Sequence, residues 1–341
     1  MSEKDEAEKL LENFLDSLRR NKSIRKAITV LIVVVITSAI LYFIYGLIPR
    51  QFTLKVSGGE ILFYQHYLAT LVRDEAKKRG VNLIIEPTKG SFDALRRVSD
   101  GQLDMAFIQG GLEKRFPNVC HTATLQPEAL HFLVKPEIQG IADLKGRTIN
   151  LGSIEGGTWV IAKKVLEFSG LLPDVDYAEL NKTNERIVGM RRNKLPDAVA
   201  VISCTPSYVA EFLIKERGYR LLEIPFPDSL SLRYGWVAEV SIPDYTYNVV
   251  PPVPDRPLKT VGVNMQLVSN SRANPEAVSR VLEALYSPSI TSKIRFKLQE
   301  DQITQGAIFP LAEGTSDYLS RNEPLLSMQT WDTISNGFGL F

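Results

Sequence analysis

Across residues 27–48 the apolar positions run without interruption: AITVLIVVVITSAILYFIYGLI carries no charge and no polar stripe. About twenty such residues span a bilayer as a helix, so the segment reads as a transmembrane anchor. A cleaved signal peptide is the rival, but the preceding stretch is long and partly acidic, the apolar core is too long, and no A-x-A site follows. After Pro49 the pattern changes to short apolar runs alternating with helical periodicity.

That second pattern is written twice. TLKVSGG is a strand ending in Gly58 and Gly59, and ILFYQHYLATLVRDEAKKRG follows as a helix stopped by Gly80. VNLIIEP is the next strand, KGSFDALRRVSDG a short helix capped by Ser91, and QLDMAFIQGG a third strand ending near Gln109. The second copy runs RTINLGS, EGGTWVIAKKVLEFSG, YAELN, KTNERIVGMRRNK and LPDAVAVISCTP. Asp104 and Asp197 open equivalent strands, and Ser91 and Thr183 start equivalent helices. Strands alternating with helices imply parallel sheets, so each copy is an α/β lobe.

Two joints link the lobes. ALHFLVKPE, 129–137, is a strand-like crossover into lobe two, and LRYGWVAEVSIP, 232–243, is expected to carry the chain back. TVGVNMQLVSNS and PEAVSRVLEALYS then complete lobe one, while the proline-rich PDYTYNVVPPVPDRP reads as an extended loop. The expected division is 1–26 cytoplasmic, 27–48 membrane anchor, 52–135 the first part of lobe one and 136–231 lobe two. Residues 232–323 form the return and the rest of lobe one, and 324–341 an apolar tail. Two lobes on two crossovers make a hinge with a cleft, where ligands usually sit.

Charge sets the orientation. Arg19, Arg20, Lys22, Arg25 and Lys26 crowd the N-terminal flank, against Arg50 and Lys55 on the other side. Basic flanks stay cytoplasmic, which places the N-terminus inside and the lobes outside, on a bacterial inner membrane. Leu10, Leu11, Phe14, Leu15 and Leu18 share one face of a cytoplasmic helix that lies on the membrane, pairs with another helix or serves as a stalk. The net charge of +1 in 341 residues gives no support for nucleic-acid binding.

In open parallel sheets, ligands bind beyond the carboxyl ends of strands. The loops that qualify are Ser57-Gly58-Gly59, Lys89-Gly90-Ser91, 153–159, and Cys204-Thr205-Pro206-Ser207. Backbone N–H groups at such turns attract an oxyanion, glycine permits close approach, the Ser91 and Thr158 hydroxyls add donors, and Lys89 adds charge. Equally, Ser91 and Thr158 serve as plain N-caps and the glycines only turn the chain.

No catalytic or metal-ligand pattern appears. GxxxxGK[ST], GxGxxG with a following acid, GxSxG and HExxH are absent, and His66, His121 and His131 lack ligand spacing. The two cysteines, Cys120 and Cys204, form no CxxC, fall in different lobes, and are expected to stay free thiols. No cofactor is expected.

The order SGG…YQHYLA, EPTKGSFDALRRVSDGQLDMAFIQ, ADLKGRTINLGSIEGGTWVIAKKVLEFSGL and PLKTVGVNMQLVSN resembles the TAXI-type solute receptors of tripartite ATP-independent periplasmic (TRAP) transporters. The resemblance spans most of 53–320. It implies the two-lobed periplasmic-binding-protein type II fold, closing on a small carboxylate, amino acid or related polar solute without chemistry. Its glycine-rich first loop falls on Gly58 and Gly59, followed by an aromatic pair at Phe63 and Tyr64. Its Gly-Ser turn falls on Gly90-Ser91, and its Ser-Gly-Thr turn on Gly156-Gly157-Thr158.

This chain departs from that pattern at several points. Glycine stands for serine at 156, Glu155 enters the loop, Trp159 follows the threonine, and Glu60 adjoins the first glycine pair. If both acids face the cleft they favour a zwitterion or a ligand with an amine or many hydroxyls; if both face solvent, nothing changes. The expected ligand-binding set is Gly58, Gly59, Tyr64, Lys89, Gly90, Ser91, Gln109, Ser153, Glu155, Gly156, Gly157, Thr158, Trp159 and Thr205. A TRAP permease is the expected membrane partner; a sensor module signalling through the anchor is the alternative. An enzyme akin to the pyrimidine-synthase relatives of the fold would need a His–Cys cluster in the cleft, for which only Cys204 offers itself.

Overall fold

The computed structural model describes residues 22–47, 50–112, 116–154, 156–294 and 296–321. Glu155, the segment 1–21 and the tail 324–341 lie outside these described residues. The chain forms two compact units, Met1–Gln51 and Phe52–Phe341.

In the first unit, helix α1 (Lys22–Leu47) covers the apolar run. At 26 residues it extends about 39 Å. Val33, Ile36 and Leu41 are among its many exposed apolar side chains. Among the described residues it is the one helix long and apolar enough to cross a membrane.

The second unit is built on one curled mixed sheet. Its elements begin with β1 (Phe52–Ser57), α2 (Tyr64–Lys77), β2 (Val81–Ile85), α3 (Ser91–Ser99), β3 (Met105–Gln109) and the long β4 (Val119–Val134). The second α/β half follows as β5 (Thr148–Asn150), α4 (Gly157–Phe168), β6 (Ala178–Leu180), α5 (Asn184–Val188), β7 (Ala198–Ser203), α6 (Tyr208–Arg217) and β8 (Arg220–Leu222). After α7 (Pro227–Ser231) come β9 (Val237–Ile242), the small hairpin β10 (Asn248–Val249) and β11 (Pro252–Val253), and the long β12 (Leu258–Asn270). Helices α8 (Pro275–Leu285), α9 (Pro288–Thr291) and α10 (Glu313–Ser320) close lobe one.

Strand order is β2-β1-β3-β12-β4-β7-β5-β6, with β8 added on β4 and β9 on β12. The β1–β2 and β1–β3 pairs are parallel, as are β5–β6 and β5–β7. This is the expected duplicated α/β plan, with two α/β lobes sharing one sheet. Strand β3 reads MAFIQ because it is buried on both faces. Met105 and Phe107 pack with Leu68 and Val72 of α2, whereas Ala106 and Ile108 pack with Leu95 and Val98 of α3. In β7, Ala198, Ala200 and Ile202 face α4, while Val199 and Val201 face α6.

The crossovers differ from expectation in one respect. Strand β4 carries the chain out of lobe one: its first half pairs with β12 and its second half with β7 and β8. The return runs through β12, whose start pairs with β9 and whose end pairs with β3. The 232–243 segment therefore supplies β9, a neighbour of the returning strand and not the return itself. Alternation of apolar residues identifies a strand, but its partner is set by contacts distant in sequence.

Candidate functional site

The turns after β1, β2 and β5 and the end of β3 meet between the two lobes. Gly59, Gly90, Ser91 and Gln109 from lobe one face Ser153, Gly156, Gly157 and Thr158 from lobe two across one small cavity. Glu60, Phe63, Gln65, Gly152 and Asn184 complete its wall. The space left is about 10 Å3, room for roughly one water. The lobes are in contact.

Two glycines allow this approach. Gly59 has φ of +76°, the left-handed region in which a Cβ is strained. At Gly157 a Cβ would stand 2.2 Å from Gln109 Oε1 and 2.7 Å from its Cβ, so any side chain there would collide with lobe one.

The hydrogen bonds across the cleft are specific. Gln109 Nε2 donates to the Ile202 carbonyl at 3.0 Å, and Ser153 Oγ donates to Glu60 Oε1 at 2.6 Å. The Asn184 N–H donates to Glu60 Oε2 at 3.4 Å, and the Leu62 N–H to Glu185 Oε1 at 3.3 Å. Glu60 is only 9% exposed. Burial pushes its carboxyl up from 4.5 to about 7; the Ser153 hydroxyl opposes the rise and the Glu185 charge adds to it.

Beneath the cleft lies a buried polar cluster at the hinge. Gln65 Nε2 donates to Glu128 Oε2 at 2.9 Å, and Cys204 Sγ lies 3.9 Å from Glu128 Oε1. Burial pushes the Glu128 carboxyl up to about 8, and burial together with the Glu128 charge raises the Cys204 thiol well above its ordinary value. A thiol held protonated in this way is a poor nucleophile. His121 is committed elsewhere, to the Ile303 carbonyl. Both Cys120 and Cys204 are free thiols.

Several expected site residues stand outside the cavity. Gly58 packs against the backbone of His66. Tyr64 lies on a separate surface hollow with Tyr67 and Tyr208. Lys89 is exposed, and its N–H is bonded to Asp93. The Trp159 indole N–H donates to Glu179, and Lys163 lies over its ring. Thr205 Oγ1 is buried and has no hydrogen-bond partner. Glu155 belongs to the undescribed residues.

Two capping expectations also change. Gly90 is the cap of α3; Ser91 is its first residue, and its hydroxyl accepts the Gln109 N–H at 3.0 Å. Thr158 is not a cap either, since its Oγ1 accepts the Ile202 N–H at 3.4 Å. Thr183 does cap α5. Gln65 and Asn184 were missed by sequence reasoning, because neither sits in a glycine turn. A larger hollow of about 1020 Å3 lies on lobe two between Lys145, Arg220 and the 251–256 segment, and none of the expected site residues lines it.

The model of the NMT1-like family matches residues 56–321, which includes every residue of the cleft. Among solved structures, the chain is similar to a protein from Bordetella bronchiseptica RB50 at 17% identity, covering 77% of this chain and 76% of that one, with a TM-score of 0.48. An ancestral arginine-binding protein bound to arginine matches at 17% identity over 71% of this chain and 92% of its own, TM-score 0.44. The substrate binding protein of an amino acid ABC transporter matches at 14% identity over 68% and 91%, TM-score 0.39.

Proposed function

This chain belongs to the NMT1-like family, and from that premise we propose that it is a membrane-anchored, extracytoplasmic solute-binding protein that performs no chemistry. Its two lobes close on a small organic anion or amino-acid-like solute, and delivery is to a TRAP-type permease. The observation that carries the reading is the convergence of Ser91 and Gln109 from one lobe with Ser153 and Thr158 from the other on a single inter-lobe cavity. Hydroxyls, amides and backbone N–H groups suit a carboxylate, and a hinge of two long strands suits closure. The Cys204 thiol, its pKa raised by burial, and His121, bonded to the Ile303 carbonyl, support a reading without catalysis. The uninterrupted apolar surface of α1 supports the anchor, and its basic N-terminal flank supports the orientation.

The test uses the full chain extracted from membranes in detergent. Native mass spectrometry identifies any co-purifying solute, and calorimetry with L-glutamate, succinate and a panel of amino acids measures affinity. Binding at micromolar or tighter dissociation constants, lost in Gln109→Ala, is expected. No co-purifying solute and no heat from any compound in the panel would end the receptor reading.

A further inference from the structure

The donors that a solute carboxylate would use in lobe two are already engaged by a carboxylate of lobe one. Glu60 Oε1 accepts from the Ser153 hydroxyl at 2.6 Å, and Oε2 accepts from the Asn184 N–H at 3.4 Å. These partners lie 93 and 124 positions away in sequence, so the contact exists only when the lobes meet. About 10 Å3 remains beside it, which leaves no place for a second carboxylate at the same donors.

We infer that Glu60 is a resident carboxylate that latches the cleft, and that a solute carboxylate enters by displacing it from Ser153 and Asn184. The inference rests on the solute-binding reading for its second half only; the latch itself is a property of the chain. Its physical basis is exchange of like for like. Opening the cleft frees Glu60 into water and frees two donors, and an incoming carboxylate recovers those donors. The solute therefore binds with only the difference between its own contacts and those of Glu60. Above about pH 7, where Glu60 is ionised, its hydrogen bonds are charge-assisted and of the stronger kind, so the competition there is substantial.

Glu60 also screens the solutes that can compete. A solute must supply its own oxyanion to Ser153 and Asn184. It must also tolerate the Glu60 carboxylate nearby once displaced, together with Glu185, which faces Glu60 from lobe two. Of simple carboxylates, those that also carry an ammonium group meet both conditions. This predicts amino acids over dicarboxylates.

The latch is tested with no solute added. Hydrogen-exchange mass spectrometry on the full chain in detergent compares wild type, Glu60→Gln and Glu60→Ala. The expected result is roughly tenfold faster exchange in the peptides bearing Asn184 and Gly156–Gly157 for Glu60→Ala, and a smaller rise for Glu60→Gln, with β4 and β12 unchanged. Unchanged β4 and β12 separate opening from loss of fold, and wild-type rates in both variants would overturn the latch. Displacement is read separately by calorimetry with succinate. Glu60→Ala is expected to bind it about ten- to a hundredfold tighter than wild type, and equal or weaker binding overturns displacement. Binding of amino acids by the wild-type chain tests the receptor reading independently, because the exchange experiment involves no solute.

Discussion

The side-chain amide of Gln109 donates to the carbonyl of Ile202, 3.0 Å away and 93 positions later in the chain. Gln109 ends β3 of lobe one, and Ile202 lies in β7 of lobe two. The bond joins equivalent strands of the two α/β copies, and Gly157 lies against the Gln109 side chain.

That contact makes Gly157 the most sensitive glycine in the cleft. Gly157→Ala places a methyl 2.2 Å from Gln109 Oε1 and 2.7 Å from Gln109 Cβ. The amide can rotate, but its Cβ cannot, so the lobes must separate. Overpacking of this kind costs about 1–3 kcal/mol. Faster amide exchange at Ile202 and a lower midpoint in urea are expected, and an unchanged midpoint would contradict the contact.

Thr158 was expected to donate to the solute or to cap its helix. Its Oγ1 instead accepts the buried Ile202 N–H, so Thr158→Val leaves that donor unpaired. The cost is about 1–3 kcal/mol in stability. Chemical denaturation of the variant measures it, and a loss below about 0.5 kcal/mol would show that another acceptor takes over.

Stability should fall as pH rises from about 6.5 to 8. Glu60 and Glu128 are raised to about 7 and about 8 by burial, so the folded chain holds protons that the unfolded chain has released above 4.5. Each group therefore lowers stability as pH climbs from its unfolded value to its folded one. His131 is lowered by burial to about 4 and acts oppositely, adding stability between 4 and 6.5. The two effects compete below 6.5, and only the carboxyls remain above it. Urea midpoints measured from pH 5 to 9 should decline above 6.5, and Glu128→Gln should flatten most of that decline. A profile that rises through this window would reverse the assignment.

A reporter fused after Phe341 checks the membrane topology. On the proposed orientation, the five basic residues clustered between 19 and 26 keep the N-terminus inside, so the reporter should be active only outside the cytoplasm. Cytoplasmic activity would end both the orientation and the receptor reading.

Local pattern alone determined much of this protein. The 27–48 run, the alternation of strands and helices, and the repeat linking Asp104 with Asp197 are short-range properties, and the folded chain shows the elements they predict. The glycine turns at Gly59, Gly90 and Gly156–Gly157 were legible for the same reason, since a tight turn at a strand end writes itself in neighbouring residues. Pairing was not legible. The 232–243 stretch reads as a strand whichever strand it joins, and only the sheet made β12 the returning crossover. Trp159 looked like a cleft residue from its place beside Thr158, but one step along a helix turns a side chain by about 100°, and it turned toward Glu179. Glu60 was visible as an acid in an awkward place. Its partnership with Ser153 and Asn184 required the tertiary fold, because hydrogen bonds between lobes depend on how two rigid halves meet and leave no periodic trace in either half.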